Sequence, residues 1–291
     1  MTDQALEAKR VTKKMHRRKA IGRVAATIAK VILIILLLLP FYLALVYAFK
    51  GMDDVSTWRL ALPNPFTLEN FHSVIFENDV FLTGLKNSVI NTIPTVLILM
   101  VLVSMSAWVL ARFNSRFYRI MYVILSAGLL IPFQCIELPL YLDMYKLGLV
   151  STNIGFIIAR AGLQVSLTLV PVTGFVKSVP RELEEAAKID GCNRFKSFWL
   201  IVFPLMMPIN ITQVILNTLF IWNDYSTAII LLRKPESFVL TLAQIQYFNS
   251  HSTYVNLAMA FFVLSMIPIL ILYLCFQRFI ISGITDGAVK G

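Results

Sequence analysis

Six stretches of about 20 residues each are almost free of charged side chains, and this feature constrains the fold most strongly. A helix needs about 20 apolar residues to cross the roughly 30 Å hydrocarbon core of a bilayer. Only 14% of the 291 residues are charged, against about 25% in soluble domains, so a water-soluble globule is excluded. The sequence therefore predicts an all-α membrane protein with six transmembrane helices, near 27–49, 87–111, 119–140, 154–176, 199–222 and 255–277.

Lysine and arginine residues in the connections are concentrated on the side of the membrane that carries both termini. Cytoplasmic segments carry such an excess, so both termini are predicted to be cytoplasmic. The basic N-terminal arm is suited to anionic lipid heads, and nucleic acid is not expected as a partner. The predicted order is a cytoplasmic arm at 1–26, a first transmembrane helix at 27–49, an external loop at 50–82, a domain of five spans at 83–278, and a cytoplasmic tail at 279–291.

The charged segment between the fourth and fifth spans has the features of a short helix that ends at Gly191. Pro180 suits a first helical turn, where a missing N–H is not needed. Glu182 and Glu184 lie near the positive end of the helix dipole. Gly191 is expected to stop the helix in the left-handed conformation. The residues alone leave two interpretations open, a surface helix that joins two spans and a helix that docks on a partner.

The spacing of residues in this segment is specific. Glu185-Ala186-Ala187 is followed after three residues by Gly191, and after nine more by Ile201-Val-Phe-Pro204. This arrangement resembles the EAA loop of ABC-importer permeases, whose pattern is E-A-A-x3-G-x9-I-x-L-P. The one departure is Phe203, where leucine is usual. On this resemblance the coupling loop spans 180–204, and the segment 83–278 is a permease domain.

Further stretches look like the maltose-type G-subunits of this family, which carry sugars and oligosaccharides. They are Pro132, Pro139 to Tyr141, Trp222 to Tyr225, and Gly283 to Gly291. The resemblance implies a type I ABC-importer fold in a bacterial inner membrane. It also implies a second, homologous permease, two ATPase subunits that hold ATP and magnesium, an external solute-binding protein, and a sugar or oligosaccharide as the substrate.

The resemblance assigns contact with the ATPase to residues of the loop and the C-terminus. Glu185 is expected to make polar docking contacts, and Gly191 to form the turn that presents the helix. The full set in the loop is Glu184, Glu185, Ala186, Ala187, Asp190, Gly191, Ile201 and Pro204, with Lys290 and Gly291 at the C-terminus. The sequence contains no GxxxxGK[ST] phosphate loop and no HExxH spacing, so no catalytic residue, metal or cofactor is predicted on this chain.

Polar residues inside a bilayer are costly and usually face a bundle interior or a cavity. The fifth span carries four of them, which fall within an arc of about 60° on a helix: Asn210, Gln213, Asn217 and Asp224. Such a stripe either lines a pathway for a polar solute or forms hydrogen bonds between helices.

Two other spans carry polar pairs, Gln134 with Glu137 on the third and Arg160 with Gln164 on the fourth. The members of each pair share a helix face. The predicted topology places Glu137 and Arg160 in the same half of the membrane. We therefore expect them to pair with one another, steadying an outer gate, or to contact the hydroxyls of a sugar.

Other functions are compatible with parts of this pattern. The solute of such a permease can also be a polyol or a glycerophosphate-type compound. A secondary transporter is disfavoured because the spans show neither repeated halves nor carboxylates for a coupling ion near the midplane. A membrane enzyme is disfavoured because the acidic cluster is a helix with alanines on its packing side.

Overall fold

The computed structural model describes the backbone of residues 3–51, 60–77, 79–247 and 254–288. Within these ranges it describes the side chains of residues 22 to 276. The prediction of an all-α fold is confirmed. The helices are α1 Asp3–Ala48, α2 Glu69–His72, α3 Val80–Arg112, α4 Arg116–Ala127, α5 Phe133–Lys146, α6 Asn153–Ser178, α7 Glu182–Ile189, α8 Arg194–Ser197, α9 Phe203–Leu205, α10 Met207–Trp222, α11 Ser226–Leu231, α12 Leu240–Ala243 and α13 Val255–Ala288.

Four helical stretches in the described part of the chain are long and apolar enough to cross a membrane without a break. They are Gly22–Ala48, Val80–Arg112, Asn153–Ser178 and Val255–Phe276, and they coincide with the first, second, fourth and sixth predicted spans. Along α1 the apolar side chains of residues 32–38 are each more than half exposed. Such a surface suits hydrocarbon rather than water. The sidedness of the termini stays a prediction.

The third and fifth predicted spans are not straight rods. Residues 119–140 lie in two helical stretches, Arg116–Leu130 and Phe133–Lys146, which meet at 104°. The break falls at Pro132, whose ring keeps Ile131 extended, with φ −91° and ψ 113°. Residues 199–222 are bent by 73° between Arg194–Leu205 and Met207–Trp222. The third and fifth predicted spans are therefore broken helices, and each bent pair can account for one span.

The core lies where α3 packs along α6 and α10. Apolar side chains spaced three or four residues apart meet in one buried cluster, in which each residue is at most 2% exposed: Leu99, Val103, Ala107, Leu169, Val172 and Val176. Positions at this spacing share one helix face. The two long helices end together, at Arg112 and Ser178, and so present a common surface beside α7.

Candidate functional site

The helix α7 spans Glu182–Ile189 and ends as the sequence predicts. Gly191 has a φ of +83°, in the left-handed region. The N–H of Cys192 donates to the carbonyl of Ala187 at 2.9 Å, and the N–H of Gly191 to that of Lys188 at 3.1 Å. These two bonds form a Schellman motif, which satisfies helix carbonyls that would otherwise lack partners. The predicted left-handed stop at Gly191 is confirmed.

The inner side of α7 is clamped to the end of α3. Glu184 accepts a hydrogen bond from Arg112 Nε at 2.6 Å and another from Trp108 Nε1 at 2.9 Å. Arg112 also donates from Nη2 to the carbonyl of Val179, at 2.9 Å, just ahead of α7. The side chains of Arg112 and Glu184 are only 8% and 16% exposed, so little water screens this ion pair.

This clamp, formed by Trp108, Arg112 and Glu184, changes the role expected of one residue. Glu184 was predicted to contact an ATPase, yet both of its oxygens are bonded within this chain. Trp108 and Arg112 are not singled out by the sequence. Their only signal is a spacing of four residues at the end of a span, which places both on one helix face.

The outer side of α7 is free of contacts to the bundle. Glu185, Ala186 and Asp190 are exposed, and Ile189 is 87% exposed. Ala187, like Glu184, is turned inward and is only 4% exposed. An apolar side chain that stands out among charged neighbours marks a surface suited to a protein partner.

The chain after α7 returns to the bundle through α8 and a π-helical turn. Asn193 caps α8 by accepting a hydrogen bond from the N–H of Lys196 at 2.8 Å. Phe198 is 1% exposed and lies against Trp108, with ring centroids 5.3 Å apart. Ile201 is half-buried and Pro204 exposed, immediately before the 73° bend. The predicted contacts at Lys290 and Gly291 lie outside the described residues.

The polar residues predicted as one stripe are buried within this chain. Asn210, Gln213 and Asn217 lie on α10 and Asp224 lies two residues beyond its end, and each is at most 9% exposed. Asn210 Oδ1 accepts a hydrogen bond from Ser104 of α3 at 3.1 Å. Asn217 Oδ1 accepts one from Thr168 of α6, also at 3.1 Å. These contacts match the interhelical alternative, and a role in lining a solute pathway stays a prediction.

A second row of polar residues lies on α3, and the sequence analysis did not identify it. It consists of Asn87, Ser88, Asn91 and Thr95, each at most 6% exposed. Asn87 Nδ2 donates to the carbonyls of Glu236 and Phe238, at 2.8 and 3.0 Å. Ser88 Oγ accepts from the N–H of Leu240 at 2.9 Å. This row holds the connection after α11 inside the bundle. The sequence signal that could have revealed the row is the spacing of its polar residues, about four apart along α3.

The predicted pairing of Glu137 with Arg160 is wrong. Arg160 instead pairs with Asp224, with Nε 3.1 Å from Oδ2 and side chains 14% and 7% exposed. Arg160 also donates to the carbonyl of Phe220 at 3.3 Å, and Asp224 Oδ1 accepts from the N–H of Thr227 at 3.1 Å. The ion pair therefore ties α6 to the end of α10.

The other members of the two polar pairs lie apart from this ion pair. After the 104° bend, α5 packs against α11. Glu137 instead lines an open cleft of about 300 Å³ together with Gln134, Tyr141 and Arg233. Gln164 is buried in the bundle at 4% exposure.

These features define a polytopic helical membrane protein with a clamped helix held out from one end of the bundle. Residues 104–286 match the family described as "Binding-protein-dependent transport system inner membrane component". The chain belongs to this family.

Relatives with the same kind of description span nearly the full chain. The probable starch degradation products transport system permease protein AmyC of Thermoanaerobacterium thermosulfurigenes is 33% identical, over 94% of this chain and 99% of its own. The multiple sugar-binding transport system permease protein MsmG of Streptococcus mutans is 35% identical, over 88% and 93%. The melibiose/raffinose/stachyose import permease protein MelC of Bacillus subtilis is 34% identical, over 87% and 91%.

The fold also matches a solved structure. A chain in the crystal structure of a bacterial ABC transporter involved in the import of alginate superposes with a TM-score of 0.80. The match covers 90% of this chain and 97% of the other, at 22% sequence identity. At this identity the likeness establishes the fold and nothing more. It agrees with the type I ABC-importer fold that the sequence predicts.

Proposed function

We propose that this chain is the permease subunit of an ATP-driven importer of sugars or oligosaccharides, and that it forms half of the translocation pathway. Its family is a component of binding-protein-dependent transport systems. The names of three relatives concern starch degradation products, multiple sugars, and melibiose, raffinose and stachyose. This shared chemistry is the observation that carries the choice of a carbohydrate solute.

The complex that this function requires has two permeases, two ATPase subunits and an external solute-binding protein. ATP and magnesium are held on the ATPase subunits, where closure around the nucleotide drives the bundle from inward-facing to outward-facing. To shift the ratio of outward-facing to inward-facing complexes from about 1:99 to 99:1, a ligand must bind the outward-facing state more tightly by roughly 5.5 kcal/mol. The contact between ATPase and permease must therefore transmit force without yielding.

The geometry around α7 supports this helix as the contact between the permease and the ATPase. Its outer side offers Glu185, Asp190 and the exposed Ile189 to a groove on the ATPase. Its inner side is fixed to α3 by Glu184 and Arg112. Hydrogen bonds to charged groups contribute about 1.5–3 kcal/mol each, so the joint resists loads of the required size.

The predicted coupling residues then divide by role. Glu185, Ala186 and Asp190 dock on the ATPase, and Gly191 forms the turn that presents them. Glu184 and Ala187 hold the helix on the bundle. Ile201 and Pro204 carry the motion into the bend before α10, and Lys290 and Gly291 make a further contact with the ATPase.

The polar residues of the bundle have a separate part in this function. The Arg160–Asp224 pair steadies the outer end of the bundle between α6 and α10. Gln134 and Glu137 line a cleft in which carboxylate, amide and guanidinium groups suit the hydroxyls of a sugar. The stripe on α10 and Gln164 adjoin the pathway that the two permeases form.

Transport in proteoliposomes tests the function directly. The chain is reconstituted with its second permease, the ATPase and the sugar-loaded binding protein, and uptake of a labelled oligosaccharide is followed with ATP inside the vesicles. Uptake is expected only with all four components and with ATP. Uptake by this chain alone, driven by an ion gradient without ATP, would refute the proposal.

A further inference from the structure

An open cleft of about 350 Å³ lies at the end of the bundle that carries α7, and of the cations that line it only Arg112 takes part in the clamp described above. It is bounded by the end of α3, the start of α4 and the end of α6. Four basic side chains line it together with Tyr122 and Asn114, and its lining contains no carboxylate: Arg112, Arg119, Lys177 and Arg181.

The positive charge in this basic cleft is largely uncompensated. Arg112 is neutralised by Glu184. Arg119 donates to Asn114 Oδ1 at 3.3 Å, Lys177 lies 5.3 Å from the centroid of the Tyr122 ring, and Arg181 donates to a carbonyl. Within the described part of the chain, none of these last three cations lies within 4 Å of a carboxylate. Gathering like charges costs free energy, which a bound anion relieves.

The position of the cleft points to a lipid rather than to a soluble anion. It opens where the membrane-crossing helices α3 and α6 end, which is the level of phospholipid headgroups. One turn beyond Arg119, on the same face of α4, the side chain of Val123 is 61% exposed. A phospholipid offers a phosphate to the cations and an acyl chain to this exposed apolar side chain, whereas a soluble phosphate satisfies the cations alone.

We propose that the basic cleft binds the phosphate headgroup of an anionic phospholipid in the leaflet on the α7 side of the membrane. Basic pockets between transmembrane helices on that side are a recognised setting for anionic lipid heads. The phosphate meets Arg119, Lys177 and Arg181, and an acyl chain lies against Val123 of α4. Because Arg181 also contacts the end of α3, the bound lipid braces the same helix end that holds the clamp.

Lipid retention by the purified complex tests this site without relying on transport. The full complex is exchanged into phosphatidylcholine containing graded phosphatidylglycerol, and the bound phosphatidylglycerol is counted by native mass spectrometry. The double variant R119Q/K177Q is expected to retain it about thirtyfold more weakly, which corresponds to about 1 kcal/mol for each cation. The conservative variant R119K/K177R is expected to retain it as the unaltered protein does.

A matched control removes two cations on the same side of the bundle but outside the cleft. Arg116 and Lys196 are exposed and do not line it, so R116Q/K196Q carries the same charge change. Retention within about threefold of the unaltered protein is expected for this control. Equal losses in the two double variants would overturn the site, because they would reflect net charge alone.

Two further measurements complete the experiment. One distinguishes a lipid phosphate from a soluble phosphate, and the other shows whether a loss of bound lipid results from loss of complex assembly. Free inorganic phosphate and glycerol phosphate are added as competitors. If either displaces the lipid at concentrations comparable to the lipid's own, the cleft is a soluble-anion site and the lipid assignment is wrong. Assembly with the ATPase is checked on the same samples by size-exclusion chromatography. Because uptake is not measured, the lipid site and the transport function can fail independently.

Discussion

The clamp between α3 and α7 gives the sharpest prediction for coupling. Replacing Glu184 with glutamine keeps the side-chain size and a carbonyl oxygen for Trp108, but it removes the charge that pairs with Arg112. Arg112 is then a cation only 8% exposed with one remaining partner, the carbonyl of Val179. Hydrogen bonds to charged groups contribute about 1.5–3 kcal/mol, so we expect the joint to weaken by about 2–3 kcal/mol.

This loss is large relative to the roughly 5.5 kcal/mol that switches the gate. A deficit of about 2–3 kcal/mol corresponds to a factor of about 30 to 150 in the equilibrium between the two gate states. In proteoliposomes, the binding protein's stimulation of ATPase activity should therefore fall toward the basal rate, and uptake should fall with it. The ATPase subunit should still copurify, because the outer side of α7 is unaltered.

Glu182 supplies the matched control for this experiment. It lies on the same helix, is exposed, and makes no side-chain hydrogen bond or ion pair in the described part of the chain. Glu182→Gln therefore changes the charge equally but leaves the clamp intact, and its stimulated ATPase should stay near that of the unaltered protein. If Glu184→Gln also keeps stimulation and uptake within twofold, α7 does not transmit force through this clamp.

Three further predictions follow from the same contacts. Gly191→Ala forces a side chain into a left-handed position at φ +83°, at a cost of about 1–2 kcal/mol, and copurification of the ATPase should drop. Arg160→Gln leaves Asp224 buried without its cation, so the detergent-solubilised protein should unfold at a lower temperature, whereas Glu137→Gln should not shift the midpoint. Asn210→Leu removes one interhelical bond of about 0.6 kcal/mol, so uptake should change little; a complete loss of uptake would favour pathway lining.

Local signals in the sequence were sufficient for the parts of the fold that depend on local chemistry. The long apolar stretches gave the four unbroken spans, because bilayer thickness sets their length. The acidic first turn of α7 and its end at Gly191 followed from local sequence, whereas Pro180 lies two residues before the helix and not in its first turn. These preferences act within a few residues and do not depend on the rest of the bundle.

Contacts between distant segments were not predictable in the same way. Pro132 was visible in the sequence, but a proline in a membrane helix is compatible with a kink as well as with the 104° break. The partner of Arg160 was misassigned because helical spacing gives the face of a residue and not the helix opposite it. Glu184 and Glu185 are adjacent and chemically identical, and only the packing of α7 on α3 sets their different directions.

Photo-crosslinking from Ile189 tests the central claim most directly. A photoreactive amino acid at this 87% exposed position is activated in the intact complex, and the same group at Tyr145, 65% exposed at the far end of α5, serves as the control. Crosslinks from position 189 to the ATPase subunit are predicted, with a yield that changes on addition of ATP, and none from position 145. Crosslinks from position 189 to lipid alone, in a complex that still transports, would contradict the account.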